Sequence, residues 1–328
     1  MSEAPSPSPG PVTQVFTSQV AGHENGVLTT QDNTLLIKQA LPLELQFYQT
    51  VAAAAEPELD ALRPFIPKFL GTLALEGELD TDKPASETTI NVKPIDGTRK
   101  ESLVLENLAH PFVKPNILDI KLGTVLYDES APPDKVARMK KTAESTTSGT
   151  TGMRLTGFQV YDNITGEAVN TTKAYGKSIS AAQLPEGIAR FFPVASADAP
   201  VQGLPAALLL QILELLREDV QDIHDALAAI EMRTVGGSLL ILYESDAARA
   251  EEGLKWMLED DEEDEEEGED EDSEDDPNKP GPPCDVRLID FAHTRFVPGQ
   301  GPDEGVLLGI NTVLALLDER IEAVRKCV

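Results

Sequence analysis

Apolar and polar positions alternate with two different periods along this chain, which reads as short strands interleaved with longer helices. A short strand opens at Val15, a Gly-containing turn spans residues 21–26, and residues 34–38 (TLLIK) form an apolar strand that ends on a lysine. This pattern predicts a hairpin with a charge at its exit. Residues 43–55 have helical character, residues 65–71 return toward a sheet, and strands are expected at 87–92 and 102–105. The stretch ENLAHPFVKP, residues 106–115, loses its periodicity and carries two prolines, so a lobe boundary is placed there.

Beyond that boundary the pattern predicts a strand at 116–122, a basic helix near 134–143, a Ser/Thr/Gly-rich loop at 144–152 and a hairpin through 154–175. Helices follow at 185–192 and 204–232, the second with apolar residues at steps of three and four. Strands at 238–243 and 286–289 flank an acidic run, and a helix over 305–325 closes the chain. At 328 residues the chain exceeds the usual size of one core. The expected division is a disordered tail at 1–12, a first lobe at 13–106 and a second at 107–328, with a disordered acidic insertion at 259–280. No internal repeat is visible.

Charge changes the picture in one respect. A net charge of −30 argues against a polyanionic ligand. Residues 259–276, however, hold 16 acidic side chains out of 18, and the rest of the chain has 41 acidic against 27 basic groups, a net of −14. That remainder leaves room for a local basic pocket. The run itself reads as a solvated insertion; its functional reading is docking to basic partners such as transcription or chromatin proteins. No apolar run approaches the roughly 18 residues of a membrane span, and the start MSEAPSP lacks the basic and apolar parts of a signal peptide. An intracellular protein is expected, with Cys284 and Cys327 as free thiols.

The chemistry concentrates in PNILDIKLG, residues 115–123. On a strand, Asp119 and Lys121 share one face while Leu118, Ile120 and Leu122 share the other. Phosphoryl transfer to an alcohol needs a carboxylate for the attacking hydroxyl and a cation for the transferring group, and this pair supplies both. An isolated Asp-x-Lys is more often a surface ion pair. Asp290 ends an apolar strand that runs into a polar turn, a place for a carboxylate that holds Mg²⁺ against nucleotide phosphates, although turn aspartates are common there. Lys38 follows a Gly-containing turn, as does the protein-kinase lysine that meets ATP phosphates, and Glu44 on the next helix could pair with it. On a helix from residue 134, Lys135, Arg138 and Lys141 share a face that could meet ligand phosphates, while Lys140 points elsewhere.

Pro-x-x-x-Asp-x-Lys-x-Gly, the SLL strand at 238–240 and IDFAHT at 289–294 together resemble the inositol polyphosphate kinase family, over nearly the whole chain outside the tail and the acidic run. The resemblance implies an α+β, two-lobed kinase fold of antiparallel sheets with an inositol-phosphate-binding helical insertion near residues 130–152. It implies ATP and Mg²⁺ as cofactors and an inositol polyphosphate as substrate. Asp290 would be the metal ligand, and Lys38, Glu44, Asp119 and the connector residues Glu106 and Leu108 would surround ATP. Lys121, Lys135, Arg138, Lys141, Lys177 and His293 would meet the substrate. Within the family, Ala292-His293-Thr294 points away from a dedicated trisphosphate 3-kinase, and the compact length resembles fungal multikinases. Hexakisphosphate kinases share the Ala-His-Thr ending and remain the enzymatic alternative; an acidic nuclear scaffold is the alternative from another class. A protein kinase is disfavoured by the lack of His-Arg-Asp and Asp-Phe-Gly motifs. A monomer in the nucleus and cytoplasm, with no direct nucleic-acid binding, completes the expectation.

Overall fold

Two antiparallel five-stranded sheets, joined through residues 107–114, organise the chain. The computed structural model describes residues 13–15, 27–74, 77–79, 92–94, 101–196, 201–264 and 280–328. The expected tail at 1–12, most of the strand expected at 87–92 and residues 265–279 of the acidic run lie outside the described residues. The first half contains β1 (Thr13–Val15), β2 (Val27–Thr30), β3 (Leu35–Gln39), α1 (Pro42–Ala53), α2 (Pro57–Leu62), β4 (Phe69–Ala74), the small pair β5 (Gly77–Leu79) and β6 (Val92–Pro94), and β7 (Glu101–Glu106). Its sheet has the order β1-β2-β3-β7-β4.

The second half contains β8 (Pro115–Leu122), α3 (Pro133–Glu144), α4 (Ser148–Thr151), β9 (Met153–Tyr161), β10 (Ala168–Thr171), α5 (Lys173–Ser178) and α6 (Leu184–Phe191). It continues through α7 (Ala206–Ala229), β11 (Met232–Thr234), β12 (Ser238–Glu244), α8 (Ala247–Asp264), β13 (Cys284–Ile289), β14 (Thr294–Phe296) and α9 (Glu304–Arg325). The second sheet runs β10-β9-β8-β12-β13, and β11 pairs with β14. The result is an α+β architecture of two halves, each built on an antiparallel sheet, as expected.

Several elements depart from expectation for identifiable reasons. The turn expected at 21–26 lies outside the described residues, but a strand not expected there, β2, precedes β3, and the chain turns between them at residues 31–34: Asp32 Oδ1 accepts the Thr34 amide at 3.2 Å, and Asn33 adopts φ 59°. Asp-Asn supplies turn chemistry of its own. Lys38 consequently sits inside β3, paired with Val27 and Leu103, and is not its terminal residue. The hairpin expected to reach residue 175 closes at Thr171, because α5 begins at Lys173. There Gly176 presses on β9 so closely that an added Cβ would lie 1.7 Å from the Leu155 carbonyl oxygen. The loop expected at 144–152 contains the single turn α4. The run expected to be disordered from residue 259 begins inside α8, which continues to Asp264; glutamate is a good helix former.

The two halves share one core. Phe47, Tyr48, Leu62, Leu103 and Leu105 from the first half join Leu118, Ile120, Leu239, Ile241, Leu288 and the buried faces of α7 and α9. Phe47 of α1 stacks on Phe291 of the second half, with centroids 3.9 Å apart and planes 14° apart. Truncating either ring in such a setting costs about 3–5 kcal/mol. Glu244, 3% exposed, fixes the connector to the end of β12 by accepting the amides of Val113 (2.6 Å) and Lys114 (3.0 Å).

Candidate functional site

The site lies where β3 and α1 of the first half meet β8 and the end of β13. Burial of Leu118, Ile120 and Leu122 turns the opposite face of β8, with Asp119 and Lys121, away from the core. The cross-strand neighbours continue that face: Lys121 pairs with Ser238 on one side and Arg154 on the other, and Asp119 pairs with Leu240 and Gly157. The register of β8 against β9 shifts between Asp119 and Ile120, which leaves Thr156 as an extra residue on β9.

Asp290 comes to this face from a turn in the left-handed region, φ 67°, one of two such non-glycine residues among those described. Its Oδ1 lies 2.9 Å from Lys38 Nζ and its Oδ2 3.6 Å from Lys121 Nζ. Lys38 Nζ also meets Glu44 Oε1 at 2.9 Å, while Lys121 Nζ donates to the Gly236 carbonyl at 2.7 Å. A strained backbone held by two ion pairs is a common signature of functional sites.

The environment divides the carboxylates. Crowding around Asp290 raises its pKa, but Lys38 and Lys121 more than reverse this and hold it below the usual carboxylate value. Burial pushes Glu44 up, against the pull of Lys38. Burial also pushes Asp119 up, and Lys121 offsets that only in part. Burial disfavours the Lys38 ammonium, yet Asp290 and Glu44 outweigh it and raise its pKa.

Beside Asp119 is a set of polar groups with no internal partner. Asp119 Oδ1, Thr156 Oγ1, Ser238 Oγ and Arg154 Nη1 are all buried and make no hydrogen bond, as is Glu44 Oε2. The neighbouring hydroxyls of Ser238 and Thr156 pull the Asp119 pKa down in part, and Asp119 stabilises the charge on Arg154. Unmet polar groups are expensive when dry, which marks this cluster as a candidate place for a polar ligand. Arg154 was absent from the residues expected from sequence. The strand Met153-Arg154-Leu155-Thr156 alternates apolar and polar positions, and that period puts Arg154 and Thr156 on one strand face.

The structure thus brings together Lys38, Glu44, Asp119, Lys121 and Asp290. His293 sits in the turn after Asp290, where its charge would lower both Glu44 and Asp128. Arg295 of β14 pairs with Asp128 at 3.6 Å and with Glu129, tying down the segment that leads into α3. On α3, Lys135 is partly exposed and Arg138 and Lys141 are exposed, and none makes an ion pair among the described residues. Lys140 lies 5.8 Å from the ring centroid of Tyr127. Lys177 is exposed on α5, beside β9. None of Lys135, Arg138, Lys141 and Lys177 contacts the Lys38–Asp290 cluster directly. In the connector, Glu106 donates its amide to the Lys68 carbonyl at 3.2 Å and accepts the Lys68 amide through Oε1 at 2.7 Å. Leu108 has its side chain buried.

Among the described residues no three His, Cys, Asp or Glu side chains gather as a metal cage. A single carboxylate such as Asp290 fits a hard divalent cation that takes its other ligands from phosphates and water.

Residues 102–318 match the family model described as inositol polyphosphate kinase. The chain is 33% identical to inositol polyphosphate multikinase of Saccharomyces cerevisiae, over 92% of this chain and 96% of that protein. It is 28% identical to inositol hexakisphosphate kinase 1 of Mus musculus, over 66% of this chain and 51% of that protein. A crystal structure of the S. cerevisiae inositol phosphate multikinase in complex with ADP and Mn²⁺ superposes with a TM-score of 0.63 at 29% identity, covering 88% of this chain and 99% of that one.

Proposed function

Because the chain belongs to the inositol polyphosphate kinase family, we propose that it is an ATP-dependent multikinase that phosphorylates hydroxyls of inositol tris- and tetrakisphosphates. The observation that carries this reading is the convergence of Lys38, Lys121 and Asp290 on the face of β8 that holds Asp119, whose Oδ1 is buried without a partner.

In this reading Lys38 holds ATP phosphates and Asp290 holds Mg²⁺, which neutralises charge on the phosphates. The connector at Glu106 and Leu108 borders adenine, and Glu44 keeps Lys38 in place. Asp119 orients the attacking hydroxyl and takes its proton. Lys121 faces the transferring phosphoryl group. The hydroxyl oxygen forms the new O–P bond, the bond from the β,γ-bridging oxygen to the γ-phosphorus breaks, and its electron pair leaves on ADP. No covalent enzyme intermediate is required. Arg154, His293, Lys177 and the α3 residues Lys135, Arg138 and Lys141 supply cations for substrate phosphates.

A second reading, pyrophosphate formation on inositol hexakisphosphate, is compatible with Ala292-His293-Thr294 and is supported by the similarity to the mouse hexakisphosphate kinase. Incubation with MgATP and, separately, inositol 1,4,5-trisphosphate and hexakisphosphate separates the two. Conversion of the trisphosphate to tetrakis- and pentakisphosphate supports the multikinase; turnover of the hexakisphosphate alone replaces it with the second reading. The acidic run is proposed to dock basic partners of transcription or chromatin complexes in the nucleus, and the enzyme to act as a monomer there and in the cytoplasm.

A further inference from the structure

Arg287 takes no part in the chemistry above, yet its side chain bridges the two halves of the molecule. It lies on β13 three residues before Asp290 and pairs with Leu240, which in turn pairs with Asp119. Its Nη1 donates to the Pro64 carbonyl, in the turn between α2 and β4. The same nitrogen stands 3.8 Å from Glu106 Oε1, at the end of β7. Its Nε is held by Asp285 Oδ1 at 2.7 Å. Glu106 Oε1 also accepts the Lys68 amide, so one guanidinium gathers the Pro64 turn, the start of β4 and the entry to the connector onto the strand that delivers Asp290.

We propose that Arg287 is a positioning residue: it fixes the first half against β13, and so sets where a nucleotide sits between the connector, Lys38 and Asp290. This rests on the kinase reading of the site. The Lys38–Asp290 contact spans the two halves, and any sliding between them changes it. The Phe47–Phe291 stack sets a separation but tolerates sliding, whereas a forked guanidinium fixes direction as well. Displacements near 1 Å at a reacting centre are enough to slow an enzyme severely.

Three variants test this in the full chain: Arg287→Met, which removes every donor, Arg287→Lys, which keeps only the charge, and Asp285→Asn, which weakens the hold on Nε by removing the charge on its acceptor. Hydrogen exchange at residues 65–69 and 106–112 is measured beside steady-state kinetics. The expected result for Arg287→Met is faster exchange at those amides with α7 and α9 unchanged. KM for ATP should rise by about tenfold, as loss of placement predicts, while KM for the inositol phosphate holds. Arg287→Lys and Asp285→Asn should fall between this variant and wild type. Unchanged exchange overturns the proposal whatever the activity. So does an unchanged KM for ATP, or a loss of protection that extends uniformly through α7 and α9. Should wild type transfer no phosphate at all, faster exchange confined to those amides leaves the tether standing and removes the kinase reading instead.

Discussion

Lys38 Nζ and Asp290 Oδ1 are 2.9 Å apart although 252 positions separate them in the chain. The contact closes the two halves over the face of β8 and leaves Asp290 ionised at neutral pH, because its pKa is held below the usual carboxylate value. An Asp290→Asn variant keeps the backbone conformation, since asparagine tolerates φ 67° as aspartate does. Its activity should fall by about 10³-fold or more, as expected for loss of a charge that organises the phosphates, with an unchanged circular dichroism spectrum. In cells, the same variant should lose an enzyme's role and keep a scaffold's.

Asp119 should trade stability for function. Its folded pKa is raised by burial, so the ionised form is disfavoured in the native state and weakens it at pH above that pKa. Asp119→Asn removes the charge and can donate to the unpartnered hydroxyls of Ser238 and Thr156. The expected outcome is inactivity together with a stability gain of about 1 kcal/mol at pH 7.5, in the range typical of relieved functional sites. Urea unfolding of wild type and variant checks the sign.

Arg154 should act on the substrate and not on the nucleotide. Its Nη1 is buried without a partner next to Asp119. Arg154→Met should raise KM for the inositol phosphate about 10- to 100-fold, the worth of a charge-assisted hydrogen bond. KM for ATP should move by less than about twofold, since the lost bond lies outside the nucleotide contacts.

How much of this was legible in sequence differs from residue to residue. Asp119 and Lys121 could be placed on one strand face by period alone, and Asp290 by its position after an apolar strand. The left-handed turn at Asp290 and the register shift beside Asp119 carry no such signal, because both are set by packing across strands. Arg154 was visible in principle, as a polar position in an alternating strand, but Met153-Arg154 adjoins a Thr/Ser-rich stretch that reads as loop. Strand β2 and the turn after it were missed because residues 27–30 are short and Asp32-Asn33 is a weaker turn signal than glycine. Separate lobes followed from length, whereas Phe47 and Phe291 join them into one core through a contact that no local pattern announces.

Away from the site, Asp219 on α7 has a pKa raised to about 6 from 3.8 by burial and by the carboxylates of Asp285 and Asp222. A raised carboxylate binds its proton more tightly when folded, so its contribution favours folding at low pH and is lost as pH rises through about 6. Asp219→Asn should therefore raise stability by about 1–2 kcal/mol at pH 7.5, after allowance for solvent screening. The gain should shrink toward pH 4.5. Urea midpoints at the two pH values decide it.

The most direct test is transfer of label from γ-labelled MgATP to inositol 1,4,5-trisphosphate by purified wild type, Lys38→Met, Lys121→Ala and Asp290→Asn, with folding verified for each. Labelled tetrakis- and pentakisphosphate from wild type, and little or none from the three variants, is the predicted result. Transfer undiminished in the variants, or no transfer by the folded wild-type protein, would contradict a phosphoryl-transfer site built on these residues.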